Sequence, residues 1–137
     1  MKKVVLIGIL VLLSGITFGQ TLQKGNLIGM HVMTINLDPD VTMNQFLDFY
    51  SSKAIPQIET NFPGWKAYLV KGIRGESENK FGVIYVVDTE DDRDVLYNED
   101  GSNTELGESI MQKIQPIMDE SNQLGTWTSE YTDWLVL

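Results

Sequence analysis

Between Asn26 and Leu37 the chain is apolar or β-prone at both parities: Leu27, His31, Met33 and Ile35 occupy one set of alternate positions, and Ile28, Met30 and Val32 the other. Successive side chains of a strand point to opposite faces, so this strand must be covered on both sides. It is therefore central in a sheet or sits at an interface, and the rest of the chain has to supply strands beside it and layers above and below it. Asp38, Pro39 and Asp40 interrupt the run, and Thr42-Met43-Asn44-Gln45 is a capping box in which the threonine hydroxyl and the glutamine side chain satisfy each other's backbone amides. The helix that starts there carries an apolar stripe of Met43, Phe46, Leu47, Tyr50, Ala54 and Ile58; Pro56 is expected to kink it or mark a restart, and Asn61-Phe62-Pro63-Gly64 to end it.

Trp65 to Ile73 and Lys80 to Asp88 are two β-patterned runs joined by the polar segment Arg74 to Asn79, which predicts an antiparallel hairpin. Thr89 to Thr104 is turn-rich and acidic, with one or two helical turns expected after a Thr89-x-x-Asp92 cap. A second main helix is predicted over about Glu105 to Gln123, kinked at Pro116 and stopped by Gly125, and Trp127 to Leu137 closes the chain as a strand. The order β-α-β-β-α-β defines an α+β fold of the ferredoxin-like, split-βαβ kind: one four-stranded antiparallel sheet with both helices on a single face. The opposite face is left apolar, which predicts a homodimer, two sheets packed face to face in a dimeric α/β barrel.

Element order, Phe62-Pro63-Gly64-Trp65 leading into strand two, Lys80 to Tyr85, and the ending Gly125 to Trp134 together resemble the dimeric α+β barrel superfamily, which includes the antibiotic-biosynthesis monooxygenase-like domains, and more closely small exported bacterial proteins of uncharacterised function. The resemblance covers Gly25 to Leu137. In that family some members oxidise polycyclic substrates without a cofactor, some cleave haem, and others have no known chemistry. The haem-degrading members bind iron through a histidine on a helix, whereas the one histidine here, His31, falls in strand one.

Met1-Lys2-Lys3, the ten-residue apolar run Val4 to Leu13 and the small residues that follow read as a secretory signal over residues 1–20, cleaved near Gly19 or Gln20, ahead of a single domain over 21–137. The run is too short to span a bilayer, which needs about 20 residues. Periplasmic or extracellular export is the expectation. With no cysteine, the chain has neither a lipid attachment site of the lipobox type nor a disulfide framework. Removing Lys2 and Lys3 with the leader leaves eight bases against 19 acids, a net charge of −11, with the bases scattered. Nucleic acid and anionic membrane surfaces are thereby disfavoured as partners, since both demand clustered Lys and Arg.

Absent residues bound the chemistry. No cysteine and one histidine exclude Cys/His nucleophilic sites and the usual zinc sets, and a Ser/His/Asp triad would have to be built on His31 without a G-x-S-x-G motif. Gly72-Ile73-Arg74-Gly75 lacks the strand-to-helix setting of a dinucleotide site, and no motif calls for a cofactor or a metal. The acidic stretch 88–100 fails the EF-hand spacing, which leaves a solvated face as the default and calcium binding open. His31 is the candidate acid–base residue: an imidazole on a covered strand must be hydrogen-bonded and titrates near neutrality, so it serves either as a general base or as a core or interface histidine satisfied by a hydroxyl or carbonyl. Tyr68, Arg74, Tyr85, Trp127 and Tyr131 are the candidate ligand-binding residues, the aromatics as walls with polar tips and Arg74 as a carboxylate partner or a surface ion-pair member. Two functions follow: a homodimer that binds a small apolar or aromatic molecule in a sheet-lined cavity, and alternatively a cofactor-independent, monooxygenase-like oxidoreductase using His31.

Overall fold

The computed structural model describes residues 21–137, so the leader assigned to 1–20 lies outside the described residues. β1 (Leu27–Leu37) runs into a helical stretch of three parts: α1 (Met43–Phe49), a π-helical turn (Tyr50–Ala54) and α2 (Ile55–Asn61). β2 (Trp65–Lys71) and β3 (Phe81–Val87) follow as a hairpin, then the short α3 (Glu90–Asp94), α4 (Glu105–Asn122) and β4 (Gly125–Leu135). The sheet order is β2-β3-β1-β4, with each neighbouring pair antiparallel. This is the ferredoxin-like α+β arrangement, and β1 is one of its two inner strands, the first of the two placements its apolar faces allowed.

Local chemistry explains the helical boundaries. The Thr42 hydroxyl accepts from the Gln45 amide while Gln45 Oε1 accepts from the Thr42 amide, so the capping box starts α1 as expected. Pro56 has no N–H to return to the carbonyl four residues back. The turn before it widens into the π-helical segment, and Pro56 then falls in the first turn of α2, where a missing N–H costs nothing. The interruption is thus a restart, and it places Tyr50 and Ala54 in the core. In contrast, α4 continues through Pro116. Gly125, expected as the helix stop, instead opens β4; the helix ends on Gln123, and a Cβ on Gly125 would lie 2.3 Å from the Asn36 carbonyl oxygen. Its role is close approach to β1. β2 ends at Lys71, two residues before the predicted Ile73, because Gly72 already belongs to the turn and bonds Lys80 and Asn79.

The odd-numbered side chains of β1 to β4 face the helices. Met33, Ala67 and Val83 meet Phe46, Phe49 and Tyr50 in one buried cluster, and Phe62, Leu96, Ile110 and Ile114 form a second between α2, α4 and the segment after α3. Even-numbered residues form the opposite face, where Ile28, Met30, Val32, Ile84 and Val86 are half-buried and Tyr68 and Trp134 are exposed. No described element of the chain covers that face.

Candidate functional site

The register of the sheet creates a gap. Gly29 stands opposite Tyr85 on β3 and Asp133 on β4, and His31 opposite Val83 and Tyr131, so a row of side chains crosses the sheet with nothing above its central glycine. Over this gap α4 presents Met111, Ile114, Ile117, Met118 and Ser121, and the π-helical turn presents Tyr50 and Ala54. Between them lies a partly open cavity of about 390 Å³, within the range of about 300–1,000 Å³ in which small molecules bind. Trp65, Tyr85, Tyr97, Trp127 and Tyr131 supply its aromatic walls; Arg93, Ser129, His31 and Asp133 supply its polar edge.

His31 is held on three sides. Tyr131 stacks on the imidazole at 5.2 Å with 14° between the planes, Tyr85 meets it edge-on at 5.1 Å, and Ser129 Oγ lies 3.2 Å from Nδ1. The sequence required a hydroxyl or carbonyl partner, and this hydroxyl is it. Burial pushes the imidazole below its ordinary value of 6.5, with the nearby Asp133 carboxylate opposing that shift, so His31 is neutral at pH 7. The sign of its effect on stability follows. A base whose folded-state pKa is lowered binds more protons unfolded than folded, so stability is lost as pH falls through 6.5 toward the folded value and is constant above that window. Urea midpoints measured from pH 5 to pH 8 should rise to a plateau, and His31→Gln should flatten the portion near 6.5. A wild-type midpoint identical to that of the variant at every pH would refute the assignment.

The phenols respond to the same burial. Tyr85 is pushed up to about 12, and Tyr50 and Tyr97 also rise, in each case chiefly through desolvation. They remain protonated and offer O–H groups. Two polar atoms of the wall, Trp65 Nε1 and Ser121 Oγ, are buried with no hydrogen-bond partner among the described residues, although the Trp65 ring packs on Phe62, Tyr85 and Tyr97. A buried N–H left unpaired costs about 1–3 kcal/mol, which a bound acceptor would recover. Arg93 sits at the mouth with its guanidinium 5.3 Å over the Tyr97 ring, Nη1 3.2 Å from Asp94 and Nε 4.0 Å from Asp133.

Of the residues singled out in the sequence, the structure brings His31, Tyr85, Trp127 and Tyr131 to one cavity. Tyr68 does not join them. It has the opposite parity on β2, pairs with Ile84 and borders a separate hollow of about 180 Å³ beside residues 21–26. Arg74 is exposed in the β2–β3 turn, away from the cavity. The cavity itself differs from the one expected: it lies between the sheet and the helices of one chain rather than between two sheets. Trp65, Arg93, Tyr97, Ser129 and Asp133 were missed. Ser129 and Asp133 share parity with Trp127 and Tyr131, a signal that was legible, whereas Arg93 and Tyr97 reach the mouth from the short α3 and the segment after it, where no periodicity marks them. Among the described residues no three or more His, Asp or Glu side chains converge to hold a metal ion, the acidic stretch included.

Fold and site together define a ferredoxin-like α+β domain with a small-molecule-sized cavity under its helices. No protein-family model matches the chain, and no curated protein sequence does. Among solved structures it is similar to SnoaB, a cofactor-independent oxygenase from Streptomyces nogalater, with a TM-score of 0.48 at 13% identity over 82% of this chain and 94% of that one. A dimeric protein of unknown function and ferredoxin-like fold from Bacteroides fragilis gives 0.46 at 12% identity over 82% and 97%. A putative antibiotic biosynthesis monooxygenase from Caulobacter crescentus gives 0.38 at 17% identity over 81% and 92%. At these identities the likeness is one of fold alone.

Proposed function

We propose that this protein is an exported binding protein for a small apolar or aromatic molecule, held between β1, β4 and α4. The observation that carries the reading is the cavity of about 390 Å³ with aromatic walls and one unpaired indole N–H. An apolar wall with a few fixed polar groups is the usual composition of a small-molecule site, and the Trp65 N–H favours a ligand with one acceptor oxygen. The neutral probe N-phenyl-1-naphthylamine should bind with enhanced fluorescence, and Ile117→Trp, which fills the space under α4, should weaken it about tenfold or more. Fluorescence unchanged by the protein, or equal binding by the filled variant, would discard the cavity as the site.

The exposed apolar sheet face supports self-association as a homodimer through Tyr68, Trp134 and their neighbours. Light scattering at micromolar concentration tests this, and a monomer would remove it. Export is supported by the composition of residues 1–20; a periplasmic or secreted chain beginning near Gln20 is expected, and a full-length cytoplasmic chain would refute it. A second reading, cofactor-independent oxidation with His31 as base, is favoured by a neutral imidazole in the cavity wall. It requires oxygen consumption with a hydroquinone that disappears in His31→Gln, and no consumption would end it.

A further inference from the structure

The pairing of β1 with β4 sets His31 opposite Tyr131, so Ser129 and Asp133, two residues to either side of Tyr131, project from the same face and flank the imidazole. Ser129 Oγ is 3.2 Å from Nδ1. On the other side, Nε2 and the Asp133 carboxylate border the space above Gly29: a Cβ there would lie 3.8 Å from Nε2 and 3.1 Å from Asp133 Oδ1. The carboxylate makes no ion pair with the ring and acts on the charge of the imidazole across this gap. With the proton on Nε2, the Nδ1 lone pair accepts from the serine hydroxyl.

We propose that Ser129, His31 and Asp133 form a serine-centred acyl-transfer site in the cavity wall that hydrolyses small apolar esters. Hydroxyl, imidazole and carboxylate in this order are recognised by geometry and role rather than by fold or sequence position, and here the two ring nitrogens exchange their usual parts. The proposal rests on the cavity as the ligand site. Tyr131 and Tyr85 fix the plane of the ring, and Arg93 Nε, 4.0 Å from Asp133 Oδ2, holds the far side of the carboxylate.

The chemistry balances with water as the only co-reactant. Ser129 Oγ bonds to the ester carbonyl carbon as its proton passes to His31 Nδ1. The bond from that carbon to the alkoxy oxygen then breaks, and the Nδ1 proton leaves with the alcohol, which puts the acyl group on Ser129. Water attacks the acyl carbon, gives a proton to Nδ1 and releases the carboxylic acid; the proton returns to Ser129 Oγ. Asp133 acts as a positioning residue that stabilises the imidazolium between these transfers.

The test uses p-nitrophenyl butyrate with the mature protein, with N-phenyl-1-naphthylamine binding as an independent measure of cavity and fold. A burst of p-nitrophenol and a butyryl group on the Ser129 peptide are expected, with the burst reduced about 100-fold or more in Ser129→Ala and in His31→Gln while circular dichroism shows both variants folded. In Asp133→Asn the NMR titration of the chain's one histidine should move to lower pH. Naphthylamine binding without acylation of Ser129, or acylation and turnover kept in Ser129→Ala, overturns the proposal and leaves the binding protein standing. No naphthylamine binding and no acylation overturn both, and an unmoved histidine titration in Asp133→Asn removes the carboxylate from the site.

Discussion

Phe46→Ala should cost about 3–5 kcal/mol of folding stability, the range for removing a buried phenylalanine ring. Phe46 has no exposed surface and lies at the centre of the cluster that joins α1 to β1, β2 and β3, with its ring 4.8 Å from Tyr50. The loss combines the transfer of the ring to water with the void left in a close-packed interior that can only partly collapse. Against a total stability of about 5–15 kcal/mol for a domain of this size, the variant should unfold at a much lower urea midpoint with an unchanged slope. Tyr50 also lines the cavity, so probe binding should weaken in parallel. A midpoint equivalent to less than about 1 kcal/mol of loss would mean that the cluster is not the centre of the fold.

Gly107→Ala should be nearly as costly for an opposite reason, since it adds an atom where there is no room. A Cβ at Gly107 would lie 2.2 Å from the carbonyl oxygen of Leu96, which is backbone and cannot rotate away. That carbonyl accepts the Thr104 amide at 2.9 Å, and the Thr104 hydroxyl caps α4 by accepting from the Gly107 amide. Backing the helix away would therefore strain the cap and the turn together. Overpacking of this kind costs about 1–3 kcal/mol and at times more, and the wall carrying Tyr97 and Gly101 should loosen. Thermal unfolding and probe affinity measured on the same sample check both effects. A variant as stable as the parent would show that α4 does not press on this turn.

Much of the architecture was legible because it rests on local signals. The capping box at Thr42 to Gln45, the cap at Thr89 and the alternation through Leu27 to Ile35 each report on backbone chemistry within a few residues. Gly125 was misread because a glycine after a helix suits a stop as well as a close crossing, and only the position of Asn36 distinguishes them. Half of the site was legible for a comparable reason: parity grouped Trp127, Ser129, Tyr131 and Asp133 on one face of β4, but no local signal said which face the helices would cover. Tyr68, on the other parity of β2, was chosen by residue type and fell on the open face.

By itself, then, the amino-acid sequence determined the order of elements, the two apolar faces of β1, the acidic balance and the presence of a single imidazole, since each depends on residue type and short-range spacing. Register was decided only in three dimensions. Whether His31 meets Ser129, whether Gly29 opens a gap beside Asp133, and whether Arg93 reaches the mouth all depend on pairing between residues roughly 40–100 positions apart, and a slip of one residue between β1 and β4 would have turned the side chains of the slipped strand to the other face.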